Sequence, residues 1–273
     1  MKKIASLLSV CALALGLTAC GSDDASPKTE DKKELKIGAT TGPYADMVKE
    51  AIKPGLEDLG YKIEIVEFTD YIQPNKSLGN HSIDANLFQH KVYMDNFAKE
   101  NDLKLSDLII VPTAPMGIYS NKYKSLKEIK DGTSLAVPND PVNLARALKV
   151  LVDEGLIEVD PDVDPLKISE KDVTKNPKNI QLKPLESAQL PRATDSVDLS
   201  AVPGNFALAA KMDLQDALVL EKMPDMYRNV VAVNTKDVDS QFAKDIKSVV
   251  ESDQFEKVID DKFAGFGKPD WMN

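Results

Sequence analysis

The chain has 273 residues and an acidic balance, 44 Asp+Glu against 34 Lys+Arg and a formal net charge of −10, which argues against a nucleic-acid surface. Its two cysteines are Cys11 and Cys20, both near the start, so neither a disulfide framework nor a thiolate metal site is expected of the remainder. The acidity reads as ordinary solubility.

In chain order, Met1-Lys2-Lys3 is followed by an apolar stretch from Ile4 to Leu17 and then by Leu17-Thr18-Ala19-Cys20. This is a basic n-region, an h-region too short to span a bilayer, and small residues before a cleavage point. A cysteine directly after those small residues matches the bacterial lipobox. Residues 1–19 are therefore expected to be a lipoprotein signal peptide, with Cys20 acylated as the mature N-terminus and the protein extracytoplasmic, anchored to a bacterial membrane by lipid. Residues 20–34 are polar and charged with no apolar period, as a flexible tether would be.

From Leu35 onward, short apolar or alternating runs bounded by turn residues predict strands at Leu35–Ala39, Ile63–Phe68, Leu108–Val111, Leu135–Val137, Val197–Val202 and Val230–Val233. Between them, three-and-four spacing at Ala45, Val48, Ala51 and Ile52, and again at Leu144, Ala147, Leu148, Leu151 and Val152, predicts helices. Strands alternating with helices give an α/β fold with mainly parallel sheets. Pro54-Gly55 should interrupt the first helix. The tail predicts two amphipathic helices, one on Phe242, Ile246, Val249 and Val250, the other on Phe255, Val258, Ile259 and Phe263 and capped by Ser252.

A search for catalytic chemistry fails. There is no H-E-x-x-H, G-x-S-x-G, P-loop or dinucleotide glycine fingerprint, and Gly38 and Gly42 have the wrong spacing to cradle phosphate. His81, Asp84 and His90 are a weak candidate metal set, and Asp160-Pro161-Asp162-Val163-Asp164 lacks the glycine and closing glutamate of a calcium loop. The expectation is a protein that is not an enzyme, with no cofactor and no metal.

Several segments, in order and with compatible spacing, carry more weight together than any carries alone. They are Phe68-Thr69-Asp70-Tyr71-Ile72-Gln73-Pro74-Asn75, Ile83-Asp84-Ala85-Asn86-Leu87-Phe88-Gln89-His90, Met116-Gly117-Ile118-Tyr119-Ser120, the run from Val137 through Asp140-Pro141-Val142-Asn143 to Arg146 and Leu148, Asn176-Pro177-Lys178, Gln189-Leu190-Pro191-Arg192, and Tyr227-Arg228-Asn229. This series resembles the NlpA-type methionine-binding lipoproteins. The resemblance implies a two-lobed periplasmic-binding-protein-like (type II) fold with two crossing hinge strands, near Val111–Tyr119 and Asn229–Val233. Lobe 1 would comprise residues 35–113 plus 229–273, and lobe 2 residues 114–228.

It also implies the substrate-binding lipoprotein of an ABC importer, taking L-methionine or a close derivative and passing it to a membrane permease and its ATPase, as a monomer. A buried zwitterion needs fixed partners for both charges. Arg146, one turn into the helix that opens at Pro141, is the expected carboxylate clamp because guanidinium offers a bidentate fork; Asn143 lies on the same helical face. Tyr71, Phe88, His90 and Tyr93 match family positions that surround the side chain, where rings suit a thioether. Asn229 matches an asparagine that bonds the head group. Pro203 stands where family members commonly carry asparagine, and Asn205 is expected to act from two residues away. Pro203 keeps open a receptor for a short methionine-containing peptide or another small amino acid; a surface interaction or adhesion lipoprotein is the alternative from another class.

Overall fold

The structure, a computed structural model, describes residues 32–272. In chain order the elements are β1 (Glu34–Thr40), α1 (Pro43–Met47), a π-helical turn (Val48–Ile52), α2 (Lys53–Asp58), β2 (Lys62–Phe68), α3 (Gln73–Gly79), β3 (Ala85–His90), α4 (Lys91–Glu100), β4 (Leu105–Ile110), β5 (Gly117–Tyr119), β6 (Ser134–Pro138) and α5 (Pro141–Asp153). There follow a short β7 (Glu158–Val159) and β8 (Val173–Lys175), then β9 (Gln181–Leu185), α6 (Leu190–Ala193), β10 (Leu199–Val202), α7 (Gly204–Ala209), β11 (Val219–Leu220), β12 (Asn229–Asn234), α8 (Gln241–Val250) and α9 (Asp253–Lys262). The signal peptide and Cys20 lie outside the described residues. Among those described, no helix is long and apolar enough to cross a membrane.

The strands form two five-stranded sheets, β2-β1-β3-β12-β4 and β11-β5-β10-β6-β9, with β7 and β8 paired apart as a two-stranded antiparallel ribbon. The sequence predicts mainly parallel pairing, and here it is wrong: β1 pairs in parallel with β2 and β3, and β6 with β9 and β10, but β12 runs against β3 and β4, and β5 against β10 and β11. The reason is topological. The chain leaves the first sheet after β4 and returns as β12, entering from the far end, so the returning strand runs antiparallel to its neighbours.

Each sheet packs its own helices. Tyr44, Met47, Ile52 and Leu56 meet Ile246, Val250 and Phe255 of α8 and α9 over the first sheet, while Leu148 and Leu151 of α5 pack on Ile118, Leu135 and Val137 of the second. Ser240 and Ser252 cap α8 and α9, accepting from the amides of Ala243 and Phe255 at 3.3 and 3.2 Å. Pro54 does not end its helix. The backbone widens into the π turn just ahead of it, and α2 then continues with Pro54 in its first turn, where the missing amide costs nothing.

Strand β3 has no apolar alternation to announce it, yet all six of its residues are buried. An amide network makes this possible. Gln89 exchanges two hydrogen bonds of 2.6 Å with Asn75 on α3, and Asn86 donates to Asn75 at 3.1 Å, so the polar side chains are satisfied without water.

Two crossing segments join the sheets, 111–116 outward and 221–228 on the return. They are stitched together: the Val111 amide donates to the Asn229 carbonyl at 2.8 Å, and the Asn229 amide donates to Thr113 Oγ1 at 2.7 Å. Further along, Glu221 N donates to Met116 O at 2.9 Å. Gly204, opening α7, lies against the outward crossing, where a Cβ would sit 2.4 Å from Pro115 O and 2.7 Å from the Ala114 Cβ. Gly204→Ala should therefore lower stability by about 1–3 kcal/mol, as overpacking does. A denaturant melt reads this, and an unchanged midpoint would contradict so close an approach.

Candidate ligand-binding site

Between the two sheets lies a cavity. It is tight, leaving about 20 Å³ in which the centre of a water can move. Tyr71 reaches it from the segment after β2, Phe88 and His90 from β3, Tyr93 from α4, Asn143 and Arg146 from α5, Asn205 from α7 and Asn229 from β12. The residues expected from the sequence to surround a ligand thus stand on the walls of one space. Tyr44, Gln89, Thr113 and Ala114 also line it, and these were not expected.

The rings form one wall. Tyr71 is centred 5.8 Å from Phe88, 5.9 Å from Tyr93 and 4.8 Å from Phe206, in tilted or edge arrangements that suit aromatic quadrupoles. Two hydrogen bonds span from the first sheet's side to the second's. Tyr71 Oη donates to Asn205 Oδ1 at 2.6 Å, and His90 Nε2 lies 3.3 Å from Asn143 Oδ1. Since His90 Nδ1 accepts from the Tyr93 amide at 3.1 Å and so caps α4, the proton belongs on Nε2, which donates to Asn143. Asn143 is itself held by Asp140, the cap of α5, whose Oδ1 accepts from the Asn143 amide at 2.9 Å.

Arg146 also stands on the cavity wall, where it already has a carboxylate partner. Its side chain is 7% exposed and faces Glu221, 5% exposed, which already occupies the fork: Nε donates to Oε2 at 2.6 Å and Nη2 donates to Oε1. Met223 Sδ lies 3.7 Å from Nη2, and the guanidinium carbon sits 5.7 Å from the Tyr227 ring. Burial works against the charged guanidinium, but Glu221 outweighs it and raises the arginine pKa above its ordinary value. The Nε/Nη2 side of the fork is therefore taken in this arrangement. What remains is Nη1, which donates to no protein group among the described residues.

Other polar groups on the walls are also unsatisfied. Among the described residues, Asn205 Nδ2 is fully buried without a partner, and the Asn229 side chain makes no hydrogen bond, while the Asn229 backbone amide goes to Thr113. Sequence reasoning missed Glu221 because an acidic chain offers many carboxylates that pair with a buried arginine; the available clue was its place closing the apolar run Val219-Leu220. The candidate metal set does not assemble. His81 meets Asn234, Asp84 binds the Lys36 amide, and His90 faces the cavity.

The sequence model of the NlpA lipoprotein family matches residues 35–271. The chain belongs to that family. Among its relatives, the D-methionine-binding lipoprotein MetQ of Salmonella typhi is 34% identical over 261 residues, covering 94% of each chain, and that of Escherichia coli K12 is 33% identical over 261 residues with the same coverage. The solved structure of a nutrient binding protein from Burkholderia cenocepacia bound to methionine matches with a TM-score of 0.82 at 34% identity, covering 86% of this chain and 99% of that one. The fold of this NlpA-family chain is thus the α/β, two-lobed one of periplasmic substrate-binding proteins, and its relatives carry the names of binding lipoproteins, not of enzymes.

Burial, then the nearby Arg146 charge, lowers the His90 pKa to about 3, while the Asn143 bond works the other way. A histidine held neutral when folded and titrating near 6.5 when unfolded stabilises the protein fully above that value, and the contribution is lost as pH falls toward 3. Between pH 7 and pH 5 the loss should be about 2 kcal/mol. A His90→Gln variant should lose that much less over the same interval in denaturant melts, and parallel curves for the two proteins would contradict the neutral, buried assignment.

Proposed function

We propose that this chain is the substrate-binding lipoprotein of an ABC importer, anchored outside a bacterial membrane through Cys20, and that it captures L-methionine or a close derivative for a permease and its ATPase. It performs no chemistry on the ligand. One observation carries the reading. A cavity beside tilted and edge-on rings presents polar groups with no protein partner among the described residues, namely Arg146 Nη1, Asn205 Nδ2 and the Asn229 side-chain amide. Asn205 Nδ2, buried and unpaired, costs free energy as it stands, so the set favours a polar head group entering with an apolar tail. The relatives' names point to methionine as that solute.

In this reading the ligand's carboxylate takes Nη1 and Asn205, its ammonium takes the Asn229 side-chain oxygen Oδ1, and its thioether lies against Phe88, Tyr71 and Tyr93, a sulfur contact being worth about 0.3–1.5 kcal/mol. Residues 35–113 with 229–273 would move as one lobe and 114–228 as the other, turning about the stitched crossings, with contacts to both lobes stabilising the closed state. The present space, enough for about one water, must widen to admit an amino acid and widen further for a peptide. Pro203, a cap of α7 that makes no side-chain hydrogen bond, supports the alternative ligand only by what it omits.

Calorimetry on the purified protein tests this. Methionine should bind without turnover, and Asn229→Ala should weaken it by about 10-fold or more, one lost hydrogen bond to a charged group. A folded protein that gives no heat with methionine but binds another solute would overturn the assignment. Arg146→Ala is the poorer test, because it strands Glu221 as a buried unpaired charge at a cost of about 3–5 kcal/mol.

A further inference from the structure

Nothing in the family name accounts for Glu221, and its position is specific. Oε1 accepts from the Met116 amide at 2.5 Å as well as from Arg146 Nη2, while its own backbone amide donates to Met116 O at 2.9 Å. The carboxylate therefore sits where the outward crossing, the return crossing and α5 meet. It is held by all three.

Among the described residues, Arg146 is the one arginine or lysine on the cavity wall, and burial keeps His90 there uncharged. With Glu221 bound to it, the guanidinium brings no net charge to the site. Asp140, half-buried behind Asn143, adds a carboxylate and no cation. A site built on an uncompensated arginine would favour any small carboxylate. This one offers such an anion a single free nitrogen whose charge is already balanced from behind, so the anion's desolvation is offset only if it carries its own positive group.

Building on the methionine reading, we propose that Glu221 sets the charge selectivity of the cavity, making it a receptor for net-neutral zwitterions that rejects the corresponding anions. Glu221 is a positioning and specificity residue. It touches Arg146, not the ligand.

The probes are L-methionine, its deaminated analogue 4-(methylthio)butanoate and its decarboxylated analogue 3-(methylthio)propylamine, both analogues smaller than methionine and so free of added bulk. The full-length protein should bind methionine at least about 100-fold more tightly than either, by calorimetry. In Glu221→Gln, which keeps the shape and loses the charge, the preference for methionine over the butanoate should fall by about 10-fold or more, equivalent to about 1.4 kcal/mol. Glu221→Asp, which keeps the charge, should leave that ratio near the parent's. A purely structural Glu221 would instead weaken all three ligands in parallel and leave the ratio unchanged, and that result overturns the proposal. Should Glu221→Gln fail to fold, the parent protein decides. Butanoate binding within about 10-fold of methionine means an uncompensated cation and sinks the idea, whereas rejection of both analogues supports it. Absence of methionine binding by the folded parent would overturn the underlying reading, an outcome distinct from methionine binding with an unmoved ratio.

Discussion

The site depends on a buried ion pair. Arg146 and Glu221 are removed from water together, and neither would be tolerable there alone, since an isolated buried charge costs several kcal/mol even after relaxation. Their pairing fixes the guanidinium in one orientation, with two nitrogens turned to Glu221 and the third left over. The same carboxylate reaches the Met116 amide, so the orientation of the arginine is tied to the crossing that joins the sheets. A ligand that draws on Nη1 thus acts on a group already coupled to the hinge.

The polar contacts across the cavity have a matching logic. Tyr71 with Asn205 and His90 with Asn143 hold the two sides together through one short and one longer hydrogen bond, and each uses only part of its partner's capacity. Asn205 keeps an unsatisfied amide nitrogen, and Asn143 is braced by Asp140. Such a half-satisfied network is costly in a core that stays dry. It is the pattern expected where a bound solute completes the bonding.

The sequence reveals the residues around the cavity more readily than it reveals what joins them. Phe88, His90, Asn143, Arg146 and Asn229 fall within segments distinctive enough to be recognised in order, and the apolar runs of β1, β2 and β12 carry their strands plainly. Strand β3 does not, because Asn86 and Gln89 are buried by virtue of Asn75, a partner more than ten residues away in sequence that no local pattern reveals. The helix through Pro54 reads as broken because periodicity cannot register a π turn, which accommodates the proline at the cost of one widened loop of backbone. Glu221 escapes for the plainest reason: pairing is a fact of three dimensions, and an acidic chain supplies many candidates.

The most direct test is a crystal structure of the protein grown with L-methionine. The account predicts the amino acid in the cavity between Phe88 and Asn229, its carboxylate on Arg146 Nη1 and Asn205 while Nε and Nη2 remain on Glu221, and its sulfur among the rings. Methionine bound elsewhere, or an arginine that has released Glu221 to grip the ligand with both arms of its fork, would contradict it.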